Sequence, residues 1–356
     1  MRGMFKRVLC IVACLAGSAV QAAPVLTDPA IGTLQAVATD PVALAGVNAL
    51  AFDGFGNLYA TRQQAALSDG VSWVNKSTGA ALSLVSNLPG ADHMVFTPGG
   101  QMLLSAEAPA TFTVGSFTFA TPNLYRLSLT YDASQHPTAA AATNLVTGPT
   151  RLNFPEGLVL LDGSNAYGAA GDLLVAEDRS GGRILRVTPA ATTATVAELV
   201  GTAAALPRPE GMAFGDFGGA ASAALYAATT SNSRIVRIDA GGGITAIGAA
   251  GVLNGPDNIV FGPDGRLYIG EDPQNGNPAR LFAMSADGSF DLIAEGFTTL
   301  QGLAFDPLNG DLYIAEQSTD TIWRLSFTPP VNVPLPGSAS LIAGGLAALC
   351  LRRRRI

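Results

Sequence analysis

The body of this 356-residue chain contains no cysteine; Cys10, Cys14 and Cys350 all lie in the two end segments. A disulfide framework, a cysteine nucleophile and cysteine metal ligands are thereby excluded from the body. Histidine is almost as scarce, with only His93 and His136. No nucleophile elbow, phosphate loop or zinc-helix motif occurs. Positive charge is thin as well: Ala23 to Pro330 holds all 27 acids but only 13 of the 20 bases, a formal charge of about −14. Nucleic acid or an anionic membrane surface would need basic patches, so both are poor partners. At over 300 residues the body can bury a sufficient core without disulfides.

What the sequence does have is a phrase repeated six times. Its copies begin at Asn48, Asp92, Glu156, Glu210, Asp257 and Gln301, as in DNIVFGPDGRLYIGED and QGLAFDPLNGDLYIAEQ. A period near 40 to 50 residues built from short strands predicts an all-β, six-bladed β-propeller. Within each copy an apolar run, a turn rich in Asp, Asn, Pro and Gly, and a second apolar run form a hairpin. These are the inner two strands of a blade. Third runs follow every copy, and fourth runs follow five of them. The sixth blade lacks one, and Gly32 to Thr39 is the strand that closes the ring by pairing with it, removing an open sheet edge. The alternative is a loose N-terminal arm.

The ends carry sorting signals. Arg2, Lys6 and Arg7 precede an apolar run and a small-residue cleavage site at Val20-Gln21-Ala22, so residues 1–22 read as a secretory signal peptide. Ile11 to Cys14 also fits a lipoprotein box. At the other end Val333-Pro334-Leu335-Pro336-Gly337-Ser338, an uncharged run from Ala339 to Leu351 and Arg352 to Arg355 follow in order. Residues 331–356 resemble the PEP-CTERM class of bacterial sorting tails, with Leu335 where the family motif has Glu. That resemblance implies processing by an exosortase after signal peptidase has acted. It also implies a Gram-negative host, transient anchoring in the inner membrane and a final place at the cell surface or outside. An ordinary tail anchor is the alternative.

The chemistry lies among recurring acids. The phrase starts with Asn48, Asp92, Glu156, Glu210, Asp257 and Gln301, and the second strand ends near Arg62, Glu107, Glu177, Thr229, Glu271 and Glu316. Because the two strands are antiparallel, both sets converge on one mouth of the central channel. Carboxylates gathered there repel unless protonated or neutralised by a cation. Hard oxygen ligands in such number suit Ca²⁺. The alternative is that the acids brace the blades by hydrogen bonding, the better reading for Glu177, Glu271 and Glu316.

The blades containing PEGMAF, PDNIVFGPDGRLYIGED and QGLAFDPLNGDLYIAEQ resemble NHL-repeat propellers and gluconolactonase/regucalcin-like proteins. The blade beginning at Arg208 also resembles PhoX-type phosphatases. The gluconolactonase-like resemblance implies a divalent metal held by a Glu, an Asn and an Asp, for which Glu156, Glu210, Asp257 and Asn258 stand ready, with Asp92 beside them. The PhoX-type cluster includes a cysteine, which this body lacks. His93, directly after Asp92, is the candidate catalytic base, while His136 sits in a polar insertion. Arg62 and Arg208 could hold an anionic substrate or form ion pairs between blades. Insertions at 108–122 and 164–171 are places where specificity could be built. The expectation is an exported binding or scaffold propeller with a calcium site and an unidentified small-molecule or envelope ligand; the rival is a metal-dependent lactonase or phosphoesterase. An enzyme would show an open pocket with an unpaired His93 or an arginine aimed into it, and a binding module could have a plugged channel.

Overall fold

The computed structural model describes residues 23–328 apart from 65–67, 108–112, 115–116, 119–122, 147–151, 191–193, 202, 221 and 274. The expected signal peptide and sorting tail lie outside these residues.

Six antiparallel sheets of four or five strands form the ring. The inner strands are Val47–Phe52, Ala91–Phe96, Pro155–Leu160, Pro209–Gly215, Pro256–Phe261 and Leu300–Phe305 of blades 1 to 6. Each packs against the inner strands of the blades before and after it, and the sixth returns to the first. The second strands, such as Leu173–Glu177 and Leu267–Glu271, are buried along their whole length because both faces meet a neighbouring blade. The outermost strands are exposed or only partly buried over most of their length.

Aromatic pairs lock successive blades. Tyr59, Tyr226, Tyr268 and Tyr313, all from the repeated Leu-Tyr of the second strand, are almost completely buried. Each meets a phenylalanine on the inner strand of the next blade: Tyr59 on Phe96, Tyr226 on Phe261, Tyr268 on Phe305 and Tyr313 on Phe52, with centroids 5.1 to 5.5 Å apart. Blade 3 has Leu174 at this position. Tyr167, from the insertion at 164–171, takes the place instead. It packs edge-on against Phe214 at 5.3 Å and donates its hydroxyl to the Ile238 carbonyl at 2.7 Å. That insertion therefore mends a packing gap, on the face opposite the acids. Of the insertion at 108–122, the structure describes a short ladder pairing Val114 with Phe117 and Thr113 with Thr118.

The ring is closed twice at its N-terminal end. Gly32–Thr39 pairs antiparallel with Thr321–Phe327, Leu34 opposite Leu325, as the fourth strand of blade 6. Val25–Leu26 adds a fifth strand to blade 5 by pairing with Glu295 and Ala294. The first closure was expected from sequence and the second was not.

Candidate channel-mouth cation site

Each inner strand enters from the mouth with a register shift, and the residue just inside it points at the channel. The six are Asn48, Asp92, Glu156, Glu210, Asp257 and Gln301. A second ring surrounds them. In the ladders Val47, Ala91, Pro155, Pro209, Pro256 and Leu300 pair with Arg62, Ala106, Glu177, Thr229, Glu271 and Glu316. Glu107 therefore does not belong with Glu177. It is equivalent to Gln63, Asp178, Thr230 and Asp272, the next residues along, whose backbone N–H groups all bond to the loop that leads into their own blade. A shift of one residue reverses the side on which a strand side chain emerges, and it sends Glu107 to the channel.

The residues in the Glu177 position are braces. Glu177 accepts from the Asn153 N–H at 2.8 Å and from the guanidinium of Arg183 at 2.5 and 3.2 Å. Glu271 accepts from Asn254 N–H at 2.7 Å and from Arg280 at 2.8 and 2.9 Å. Glu316 accepts from Thr298 N–H at 2.7 Å and the Trp323 indole at 2.8 Å. Arg62 stands in the same position in blade 1. It donates to Ser83, Ser86 and the Val85 carbonyl within its own blade. It lies away from the channel cavity, which corrects its expected place as a substrate-binding residue: its strand position turns it toward the outer strand.

The cavity at the mouth, about 100 Å³, is lined by Gln63, Asp92, His93, Glu156, Arg208, Glu210, Asp257, Asp272 and Gln301. Single oxygens of Asp92, Glu107 and Glu156 lie within 4.8 Å of one another, and so do those of Glu156, Asp178 and Glu210. Burial, followed by the charge of Asp92, pushes the Glu107 carboxyl up to about 7. Burial and the charge of Asp178 push Glu210 up to about 8, against the opposing bond from Thr230. Glu156 and Asp257 are raised well above the carboxylate range, chiefly by burial, then by Asp92 and Glu210 respectively. The Thr230 hydroxyl donates to Glu210 Oε2, with the Pro256 carbonyl 2.8 Å away as its other acceptor.

His93 and Asn258 occupy equivalent positions in blades 2 and 5. These blades are three apart in a ring of six and therefore face each other across the axis. Asn258 Nδ2 lies 2.7 Å from His93 Nε2, and His93 Nδ1 lies 2.8 Å from Asp92 Oδ1. The amide donates to Nε2, leaving the imidazole proton on Nδ1 for the carboxylate. The pair forms a bar across the channel. At the same position blades 1, 3, 4 and 6 have Ala49, Gly157, Gly211 and Gly302, where bulk is excluded. A Cβ on Gly211 would lie 2.3 Å from the Asp257 carbonyl oxygen.

Arg208, at φ 51°, holds Asp178 bidentately at 2.8 and 2.7 Å and reaches Glu210 Oε1 at 3.2 Å. Of the residues singled out from sequence, Asp92, His93, Glu156, Glu210, Asp257 and Arg208 come together in the cavity. Asn258 is committed to the bar. Glu107 and Asp178 complete the site and were not singled out as ligands.

Residues 161–334 match the SMP-30/gluconolactonase/LRE-like region. The gluconolactonase-like fold extends to the whole body. A gluconolactonase from Xanthomonas campestris superposes with a TM-score of 0.56 at 14% identity over 85% of this chain and 94% of its own. Virginiamycin B lyase from Staphylococcus aureus gives 0.51 at 16% over 82% and 98%. An auxiliary nutrient binding protein from Bacteroides ovatus gives 0.54 at 13% over 81% and 69%. At these identities the likeness is one of fold. No curated protein matches the sequence.

Proposed function

We propose that this protein is an exported binding propeller whose channel mouth holds a divalent cation, calcium foremost. One observation carries the reading: Glu156 is only 8% exposed, and its Oε2 has no hydrogen-bond partner while facing a cavity walled by other carboxylates. An orphaned buried carboxylate oxygen is costly, and a hard cation removes the cost. Asp92, Glu107 and Glu156 would supply anionic oxygens, and calcium accepts six to eight with loose geometry. When bound, the ion would offer positive charge to an anionic group of a ligand.

Binding is favoured over catalysis because both ring nitrogens of His93 are engaged, Arg208 is paired and the bar plugs the channel. A cavity of about 100 Å³ is below the several hundred typical of small-molecule sites. Export rests on the signal-like N-terminus. Delivery through exosortase to the cell surface, or beyond, rests on the PEP-CTERM-like tail. Calorimetric titration of the full chain with calcium and with zinc is the test. Micromolar or tighter calcium binding that disappears in Glu156→Gln is the expected result, and no heat from either ion with a folded protein refutes it.

A second reading, a metal-dependent hydrolase, is favoured by the Asp92–His93 pair, in which a carboxylate orients an imidazole at the cavity wall. The solved structures of similar fold include a lactonase and a lyase. Turnover of lactones or phosphoesters that needs calcium and is lost in His93→Gln would establish it.

A further inference from the structure

We infer that Glu156 is shared by two adjoining cation subsites, and that the second is filled by the protein's own guanidinium, Arg208, so that the channel mouth takes one divalent cation. This rests on the cation reading proposed above and names the residue that fixes its capacity.

The two sets of converging oxygens are alike in composition, with three carboxylates each, and in size, and they have Glu156 in common. They differ in what neutralises them. In the set of Glu156, Asp178 and Glu210, the forked side chain of Arg208 lies at 2.8 and 2.7 Å from the two oxygens of Asp178 and 3.2 Å from Glu210. A guanidinium is permanently charged and its planar fork matches a carboxylate in two bonds. In the set of Asp92, Glu107 and Glu156 no lysine or arginine makes an ion pair, among the described residues. Asp92 is met by His93, Glu107 by the amide of Gln63 and the carboxyl of Glu156, and Glu156 Oε2 by no amide, hydroxyl or cation.

Arg208 is built into this place. Its φ of 51° turns the chain just before the inner strand of blade 4. Its N–H donates to the Arg179 carbonyl at 2.9 Å, and its own carbonyl accepts from Thr230 N–H at 3.1 Å. The backbone is thus pinned on both sides while the side chain, 42% exposed, spans the rim. Removing that charge would open a nest of three carboxylates to solvent without emptying a packed core.

Calcium stoichiometry of the full chain decides the matter, by calorimetric titration with calcium chloride and by metal analysis after dialysis. The expected counts are one calcium for the wild type, two for Arg208→Gln, and one again for Arg208→Gln combined with Asp178→Asn. Arg208→Lys, which keeps the charge, stays at one and serves if the glutamine variant fails to fold. One calcium in a folded Arg208→Gln protein, or two in the wild type or in Arg208→Lys, overturns the role of Arg208 and leaves the cation site standing. No calcium in any of the proteins removes the site itself, and this inference with it.

Discussion

Calcium entering the channel mouth should expel protons, and the number follows from the site. Of its three carboxylates, Glu107 is raised to about 7 and holds roughly half a proton at pH 7, which a bound cation displaces because it needs the carboxylate ionised. Glu156, also raised, can only add to this. Glu210, raised to about 8, stays with Arg208. The apparent affinity should therefore tighten several-fold from pH 6 to pH 7. Stability without calcium runs the other way. The folded-state values exceed the unfolded ones, so the folded protein binds more protons than the unfolded chain. For Glu107 and Glu210 the penalty is absent below about pH 4.5 and complete above about pH 8, and the fold weakens as pH rises between them. Calorimetry at pH 7 in two buffers of different ionisation enthalpy counts the released protons directly. Equal heats in both buffers, with an affinity flat from pH 6 to pH 8, would refute the reasoning.

Four further outcomes are expected. Gly211→Ala forces a methyl to within 2.3 Å of the Asp257 carbonyl and 2.8 Å of Asn258 Cα. It should cost about 1–3 kcal/mol by overpacking and lower the melting temperature in calorimetry, since backbone must move. Glu271→Gln leaves the part-buried guanidinium of Arg280 without its carboxylate and should cost about 3 kcal/mol in denaturant titration. Glu198→Gln, at a pair whose acid is 56% exposed, should cost under about 1 kcal/mol. Deleting residues 23–39 bares the edge of Thr321–Phe327 and should give oligomers or aggregate on size-exclusion chromatography, because an open strand edge recruits partners; a monomeric, folded product would count against the closure.

The architecture was legible because every blade repeats its hairpin and four of the six repeat a buried Leu-Tyr, and a ring needs no further information to be counted. The site was only half legible. Asp92, Glu156, Glu210 and Asp257 stand at the same place in every copy, but the outer acids slip by one. Blade 2 ends its second strand in Ser-Ala-Glu where blade 3 has Val-Ala-Glu-Asp, and matching Glu to Glu aligns Glu107 with Glu177. Only the ladder, with Ala91 opposite Ala106 and Pro155 opposite Glu177, settles which glutamate faces the channel. The bar had a signal that went unused: the residue after each phrase start reads Ala, His, Gly, Gly, Asn, Gly, small wherever neighbouring inner strands must approach. The use of Tyr167 to fill the gap beside Leu174 could not be read from sequence, since it depends on where a loop folds back.

The double closure of the ring has a consequence for how the molecule is made. Leu34 pairs with Leu325 and Val25 with Glu295, so strands far apart along the chain hold each other. Blades 1 to 4 can assemble from local hairpins as they emerge. Blades 5 and 6 need an N-terminal strand that has waited through nearly the whole chain. Such distant pairing is slow to form. The last event in folding should be the docking of residues 25–39, and until then the edges of blades 5 and 6 are where a chaperone would bind.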